Sequence, residues 1–182
     1  LWKTMPDGTS YGADGGWNSI YYSVDNTKLY RFSVWMKRIS DQANGLFYFG
    51  TNGETQCVVE GNNVNQEECN PYFEYRLIDT YAKDVWYLVV GHVFPSGTGN
   101  TARHAQTGVY TIAGGKQRDT IGNIGGDCVM QSGTTGLRHR VYHYYANSRG
   151  SELVFAYPRL EEVTSSTLNI IDAYLADGYS TI

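Results

Sequence analysis

The chain has 182 residues, of which only 18% are charged, and its net charge is −4. Such a chain lacks the basic surface that nucleic acids and anionic membranes attract, so we expect no nucleic acid partner and no membrane insertion. A chain of this length buries about 70% of its unfolded surface as one domain. We therefore predict a single domain over residues 1–182, and we expect it to belong to a longer protein because it begins with Leu1 and not with methionine.

Glycine and tyrosine are frequent, with 21 and 16 residues. Glycine serves turns and tyrosine suits half-buried strands, so this composition indicates a β-rich protein. The chain opens with a stretch up to Tyr22 in which Pro6-Asp7-Gly8 and Asp14-Gly15-Gly16 are turn signals. We predict turns in this stretch and a short strand over Ile20–Val24.

The segment Tyr30–Arg38 alternates apolar and polar residues, which is the pattern of a strand with one buried face. Its apolar face, which we expect to pack inside the fold with Tyr87, Val89 and Val93, consists of Tyr30, Phe32, Val34 and Met36. Trp35 is the exception, because it lies among the polar residues of the other face. We predict that its exposure will show whether this face binds a ligand or another subunit.

The next elements are separated by a polar stretch. Asn44-Gly45 predicts a hairpin-like turn, which is followed by a short aromatic strand over Leu46–Gly50. Residues 51–70 are polar and predict a long loop or a weak edge, and Pro71–Ile78 predicts a strand. Val85–Phe94 is almost continuously apolar, as a strand covered on both faces would be.

The C-terminal half continues with short strands and ends in a helical pattern. We predict strands at Gly108–Ala113, Cys128–Gln131 (within the long loop 114–136), Leu137–Tyr145 and Glu152–Val163, and a helix at Thr167–Ala176 capped by Ser165 or Ser166. Short strands between turns, with one small helix, indicate an all-β fold. We predict an antiparallel β-sandwich of the jelly-roll, concanavalin-like kind with one short C-terminal helix.

The three cysteines do not form a disulfide framework. Cys57 and Cys69 flank a polar loop, so a bond between them that leaves Cys128 free is one interpretation. Three buried or half-buried thiols are the other, and an odd count favours it.

No arrangement of residues predicts catalysis. The chain has no Cys-x-x-Cys and no Gly-x-Ser-x-Gly motif. His139 and His143 would share one face of a strand about 13 Å apart, which is too far to bind one ion. Glu161 and Glu162 are adjacent and would point to opposite faces of a strand, so they cannot act as an acid and base pair. We therefore predict a protein that is not an enzyme.

Acidic residues near the two ends of the chain suggest a structural calcium site. Asp7, Asp14 and Glu161 would supply oxygen ligands if the first and last segments of the sandwich met. The alternative is that Asp7 and Asp14 are ordinary turn residues whose side chains accept hydrogen bonds from the nearby backbone.

Surface-facing aromatic and basic residues are the main functional signal. Alternation places four residues on one face of the strand over Leu137–Tyr145, and neighbouring strands would extend that face. The predicted ligand-binding platform consists of Trp35, His92, Arg138, Arg140, Tyr142 and Tyr144, with Trp86 as a further candidate. Aromatic rings stack on the C–H faces of sugars and arginine donates to sugar hydroxyls, so a glycan is the predicted ligand. The alternative is that these rings cover the second face of a sandwich or pack against another subunit.

Several segments together carry a resemblance to a known family. In chain order they are PDGTSYGADGGWNS, YRFSVWMKR, NPYF, WYLVVGHVFPSG, GVYTIAGGK, LRHRVYHYY and LVFAYPRLEEV. They resemble a recurrent domain of tail fibres and other appendages of marine and cyanobacterial tailed phages, whose relatives look like carbohydrate-binding modules. The resemblance extends from about Trp2 to Ile171. The family often has Arg-Val-Asp where this chain has Arg159-Leu160-Glu161, so an acid is kept at a position of the predicted calcium site.

The resemblance implies a non-catalytic domain displayed on the virion surface. It implies binding to host-surface polysaccharide, contacts with other virion subunits and a homotrimer. We predict that no cofactor is required, and the structural calcium considered above is one of the two interpretations of the acidic residues. A first alternative is a structural fibre or capsid-decoration domain that acts through subunit contacts. A second alternative is a binding module of a bacterial adhesin or of a polysaccharide-degrading enzyme.

Overall fold

Two β-sheets stacked face to face, with one helix packed on the outside, make up the fold. The computed structural model describes residues 1–9, 12–55, 58–60, 71–99, 103–113, 115–120, 127–169 and 171–181. The predicted antiparallel β-sandwich with a short C-terminal helix is confirmed. Within the described residues, the α-helix is too short to cross a membrane.

The larger sheet has eight strands. Numbered in chain order through the whole fold, they are β1 (Trp2–Thr4), β4 (Tyr30–Arg38), β6 (Val58–Glu60), β8 (Trp86–Phe94), β9 (Gly108–Thr111), β10 (Gly115–Arg118), β11 (Cys128–Met130) and β13 (Leu153–Glu162). Strands β1, β13, β4, β8, β11 and β6 lie side by side in that order, while β9 pairs with β8 and with β10. Only β11 and β8 run parallel among these paired strands.

The smaller sheet has five strands, all antiparallel to their neighbours. They are β2 (Ala13–Asn18), β3 (Tyr22–Ser23), β5 (Leu46–Gly53), β7 (Tyr72–Leu77) and β12 (Gly136–Tyr144). Strand β12 is central, because β2 and β3 pair with one of its edges and β5 with the other. A 3₁₀ turn at Ile78–Thr80 follows β7, and helix α1 spans Ile171–Thr181.

The inner faces of the two sheets form the main core, and β4 contributes as predicted. Phe32 and Val34 are completely buried, and they meet Phe49 of β5 and Phe73 of β7 in one cluster. In register, Val34 of β4 lies beside Val89 of β8. Burial of each such side chain contributes about 1.5–3 kcal/mol, so this inner layer is the main source of stability.

The outer face of the eight-stranded sheet carries a second apolar cluster, and this corrects the expectation for Trp35. Trp35 is 0% exposed, together with Leu88 of β8. Ile171 and Tyr174 of α1 pack on this cluster. The prediction that Trp35 faces a ligand or a partner subunit is therefore wrong, because a helix of the same chain covers it. An apolar cross-strand neighbour such as Leu88 needs this cover.

The connection between β4 and β5 crosses between sheets. Gly45 has the positive φ, 89°, that favours glycine, and the chain bends there. Strand β4 nevertheless pairs with β8 and β13, whereas β5 pairs with β7 and β12. The prediction of a hairpin is wrong, because a turn signal determines how the chain bends but does not determine which strands pair with each other.

Strands β1 and β2 form in the N-terminal stretch for which turns were predicted. Strand β2 contains Gly16, which has a φ of 132° and lies so close to β12 that a Cβ there would be 2.0 Å from the carbonyl oxygen of Val141. Only glycine fits this approach, so the sequence of the strand looks like that of a turn. The helix also differs from its prediction, since it begins at Ile171 and residues 164–167 form a turn instead of a cap. Cys128 is buried, and Cys57 and Cys69 lie outside the described residues.

Candidate functional site

The outer face of the five-stranded sheet is rich in tyrosine and arginine. Four of its side chains come from β12, where alternation sends every second residue outward as predicted. Strands β5 and β7 add three tyrosines on one side of β12, and Tyr21, which precedes β3, adds another. We define the tyrosine–arginine face as Tyr21, Tyr48, Tyr72, Tyr75, Arg138, Arg140, Tyr142 and Tyr144. Arg138 and Tyr144 are six residues apart on β12, so the face is about 20 Å long.

A hydrogen-bonded group fixes the centre of the face. Nε of Arg140 donates to Oδ1 of Asn18 at 2.8 Å, and the hydroxyl of Tyr142 donates to the same oxygen at 2.6 Å. Nη2 of Arg140 donates to the Tyr142 hydroxyl at 2.8 Å, and the guanidinium lies 5.0 Å from the centre of the Tyr142 ring. Strand β2 supplies Asn18 directly opposite Arg140. The guanidinium and the ring are therefore held in place before any ligand arrives.

Arg138 forms one end of the face. Its guanidinium lies over the ring of Tyr21, 4.8 Å from the ring centre, which is the distance of a cation–π contact. The Tyr21 hydroxyl in turn donates to Oδ1 of Asn52 on β5. Nε of Arg138 has no hydrogen-bond partner among the described residues.

Packed tyrosine rings form the other end. Tyr48 lies 4.4 Å from Tyr144, 4.6 Å from Tyr72 and 5.7 Å from Tyr75, measured between ring centres. The hydroxyls of Tyr72 and Tyr144 are 3.2 Å apart. Burial, with smaller contributions from Tyr145, Tyr144 and Tyr75, raises the pKa of Tyr48 to about 12. Tyr48 is therefore neutral at physiological pH, and this end of the face offers aromatic rings and hydroxyls together.

This arrangement suits a polyhydroxylated ligand with some negative charge. Apart from the buried Tyr72, the rings of the face are half-exposed and present flat apolar surface, and their hydroxyls both donate and accept hydrogen bonds. The face as defined contains two guanidinium groups and no carboxylate. It therefore favours a ligand with sugar-like C–H faces, hydroxyls and acidic substituents.

The structure does not bring Trp35 and His92 to this face, which corrects the predicted platform. Both belong to the eight-stranded sheet, and their side chains lie on its outer side, which is the opposite side of the sandwich from β12. His92 is completely buried. Of the predicted platform, Arg138, Arg140, Tyr142 and Tyr144 do share one open face, as alternation along β12 requires. Trp86 is partly buried against the cluster around Trp35.

His92 belongs to a buried polar group centred on Asp127. Nδ1 of His92 lies 2.7 Å from Oγ1 of Thr107, which donates to Oδ2 of Asp127 at 2.7 Å. The backbone N–H groups of His92 and His104 also donate to this carboxylate. Burial raises the pKa of Asp127 to about 6, although these hydrogen bonds oppose the rise. Thr107 is 1% exposed, so this group is a buried connection between β8, residues 104–107 and Asp127.

Two of the three predicted calcium ligands, Asp7 and Glu161, lie far apart. Oδ1 of Asp7 accepts from the N–H and the hydroxyl of Thr9, which is the turn arrangement considered as the alternative. Glu161 accepts from the Tyr174 hydroxyl at 2.6 Å and lies 3.7 Å from Nε of Arg31. Asp7 is held by Arg149 near the start of β13, whereas Glu161 lies about 25 Å along that strand. The backbone of Asp14 lies in β2, and its side chain is outside the description.

The tyrosines that neighbouring strands contribute are absent from the predicted platform. Tyr48 and Tyr75 lie opposite each other on β5 and β7, and Tyr48 lies opposite Tyr142 on β12. The alternation Leu46-Phe47-Tyr48-Phe49 places Tyr48 on the face opposite to the phenylalanines, and that signal was available in the sequence. The order of the strands in the sheet was not available in the sequence, so these tyrosines could not be grouped with the residues of β12.

Comparisons with known proteins add no relative to this description. No protein-family model, no curated protein and no solved structure matches the chain. The geometry of the tyrosine–arginine face and the resemblance of the sequence segments are therefore the basis on which a function can be proposed.

Proposed function

We propose that this domain is a non-catalytic glycan-binding module whose ligand lies along the tyrosine–arginine face. The observation that carries the proposal is an open, preorganised row of tyrosine rings and two arginines on the outer face of the five-stranded sheet. Stacking on the rings would give affinity, and Arg138 and Arg140 would select acidic sugars. The resemblance to phage appendage domains supports a place on the virion surface, a homotrimer and a host-surface polysaccharide as the ligand.

A second proposal is that another subunit covers the same face. The observation that favours it is the apolar edge of the face, where Leu77 at the end of β7 is 55% exposed and Tyr145 is 51% exposed. Tyrosine and leucine at the edge of a sheet also suit contacts between protein subunits. This interpretation corresponds to a structural fibre or decoration domain.

Titration calorimetry with polysaccharides would test the first proposal. The probes are purified bacterial lipopolysaccharide, polygalacturonate as an acidic glycan and dextran as a neutral glycan, each with Ca²⁺ and with EDTA. We expect binding to the acidic probes, weaker binding to dextran, and no effect of EDTA because Asp7 and Glu161 have partners within the chain. Tyr142→Ala should weaken binding about tenfold, as the loss of one stacked ring would.

Tyr157→Asn provides the matched control. Tyr157 is another exposed tyrosine, but it lies on β13 of the other sheet, and its φ of 48° suits asparagine. Binding should be unchanged in this variant. Equal binding by wild type and Tyr142→Ala would refute the glycan proposal. A stable trimer by light scattering that Tyr142→Ala dissociates would favour the second proposal instead.

A further inference from the structure

A cleft opens between the two sheets at the edge where β1 and β2 lie. Strand β1 pairs only with Leu153–Phe155, so within the described residues no strand covers the remaining edge of β13. Tyr157 adopts a φ of 48° where the pairing of β13 with β4 shifts, and this bulge bends the strand. The resulting cleft has a volume of about 500 Å³. This is within the range of small-molecule sites, which hold about 300–1,000 Å³.

Aromatic rings form much of the cleft wall. Trp17 of β2, Tyr22 of β3 and Tyr30 of β4 line it. Trp17 is clamped between Trp2, 5.8 Å away, and His139, 6.1 Å away and almost parallel to it, measured between ring centres. The stacked Trp17 is thus a rigid part of the wall, whereas Tyr22 is 48% exposed and accessible from solvent.

His139 lines the cleft and carries an unused acceptor. Nε2 of His139 lies 3.1 Å from the carbonyl oxygen of Ser33, and since a carbonyl only accepts, Nε2 must carry the hydrogen. Nδ1 is then an acceptor, and it has no partner among the described residues although the side chain is 3% exposed. Burial lowers the pKa of His139 to about 4, so the ring is neutral at physiological pH. A buried acceptor of this kind favours a ligand that donates a hydrogen bond.

The charged residues of the cleft have partners within the chain. Glu161 is paired with Arg31 and with the Tyr174 hydroxyl, and Glu162 lies 3.8 Å from Lys28. The guanidinium of Arg159 lies 4.1 Å from the ring centre of Tyr174. Because both carboxylates lie near a cation and the Arg159 guanidinium lies over a ring, the cleft favours a neutral ligand over an ion.

We propose that this inter-sheet cleft binds one small neutral molecule with hydroxyl groups on a ring, of the size of a single pyranose. One hydroxyl of the ligand donates to Nδ1 of His139, and the ring packs against Trp17 and Tyr22. The site is separate from the tyrosine–arginine face and does not depend on the function proposed for that face.

Nuclear magnetic resonance of the ¹⁵N-labelled protein would test the cleft directly. The probes are the methyl glycosides of glucose, galactose and N-acetylglucosamine, added separately. We expect at least one of them to shift the indole resonance of Trp17 and the Nδ1 resonance of His139, which would report the new hydrogen bond. Absence of a shift at both positions with all three probes would overturn the proposal.

Two tryptophan variants show whether the binding site is the cleft. Ser23→Trp places a large ring at the mouth, because Ser23 is exposed and lines the cleft. We expect it to weaken binding about tenfold or more, since the ring occupies ligand space. Ala82→Trp, at an exposed position in the loop before β8, is the matched control and should bind like wild type. Equal binding by both variants would refute the assignment, whereas Tyr142→Ala should leave it intact even if the proposal for the tyrosine–arginine face fails.

Discussion

Replacing His139 with glutamine is expected to remove an acid-sensitive part of the protein's stability. His139 is buried, and burial lowers its pKa in the folded state from 6.5 to about 4. In the unfolded chain the ring is protonated below its ordinary pKa of about 6.5. Between these two values the unfolded state therefore holds a proton that the folded state lacks. The free energy of unfolding falls as the pH decreases through this interval.

The size of the effect follows from the two pKa values. Each pH unit between them is worth about 1.36 kcal/mol, so His139 contributes about 3 kcal/mol at pH 7 that is lost between pH 6.5 and about 4. Other buried groups titrate in the same interval. Asp127, with a raised pKa of about 6, acts in the opposite direction, and His92, with a lowered pKa, acts in the same direction. Their contributions are common to wild type and variant, so the difference between the two proteins isolates His139.

Urea denaturation at a series of pH values from 7 to 4 measures this difference. Glutamine keeps an N–H donor for the carbonyl oxygen of Ser33 but does not titrate. A constant loss of stability in His139→Gln would reflect packing, for example against Trp17. The test is how the free energy of unfolding depends on pH. Between pH 7 and pH 4 this free energy should fall by about 3 kcal/mol more in wild type than in the variant. Parallel curves for the two proteins would refute the assignment of a neutral, buried His139.

Two further substitutions test the packing of the sandwich. Trp35→Ala should lower the free energy of unfolding by about 3–5 kcal/mol, because it leaves a cavity in the closed site under α1. Leu168→Ala, at a 43% exposed position, is the control and should change the free energy of unfolding little. Equal losses for the two variants in urea denaturation would contradict the buried position of Trp35. Arg118→Met should cost about 3–5 kcal/mol because it leaves Glu74, which is 0% exposed and 2.6 Å from Nη1 of Arg118, without its closest cation. Thermal unfolding of Arg118→Met alone and combined with Glu74→Gln measures this coupling, and the second change should restore part of the loss.

The local sequence pattern predicted a strand well where its own apolar residues show which faces of the strand are buried. Tyr30–Arg38 alternates apart from Trp35, and the structure gives β4 these same bounds. Val85–Phe94 was predicted to be covered on both faces, and β8 is buried on both. Where a strand depends on close contact with a neighbour, the pattern failed. Gly16 in β2 is required by the approach of β12, which no local rule contains.

The candidate site was predictable on one strand but not across strands. Alternation assigned Arg138 and Tyr142 to one outer face correctly. Assigning Trp35 and His92 to the same face required knowing which sheet each strand joins, and that depends on long-range pairing. In a sandwich the two outer faces point in opposite directions, so a residue on the wrong sheet is on the wrong side of the molecule.

The composition of each outer face explains why one is covered and the other open. On the eight-stranded sheet, Trp35 has the apolar neighbours Leu88 and Ala156 across the strands, so leaving this face in water would cost free energy and α1 covers it. On the five-stranded sheet, Tyr142 has Gly16 and Tyr48 as cross-strand neighbours, and its hydroxyl is held by hydrogen bonds with Arg140 and Asn18. The polar groups at the centre of this face are thus satisfied without a cover. An outward aromatic in this fold is thus open to solvent where its cross-strand neighbours are polar or small, and that condition selects the sheet of β12.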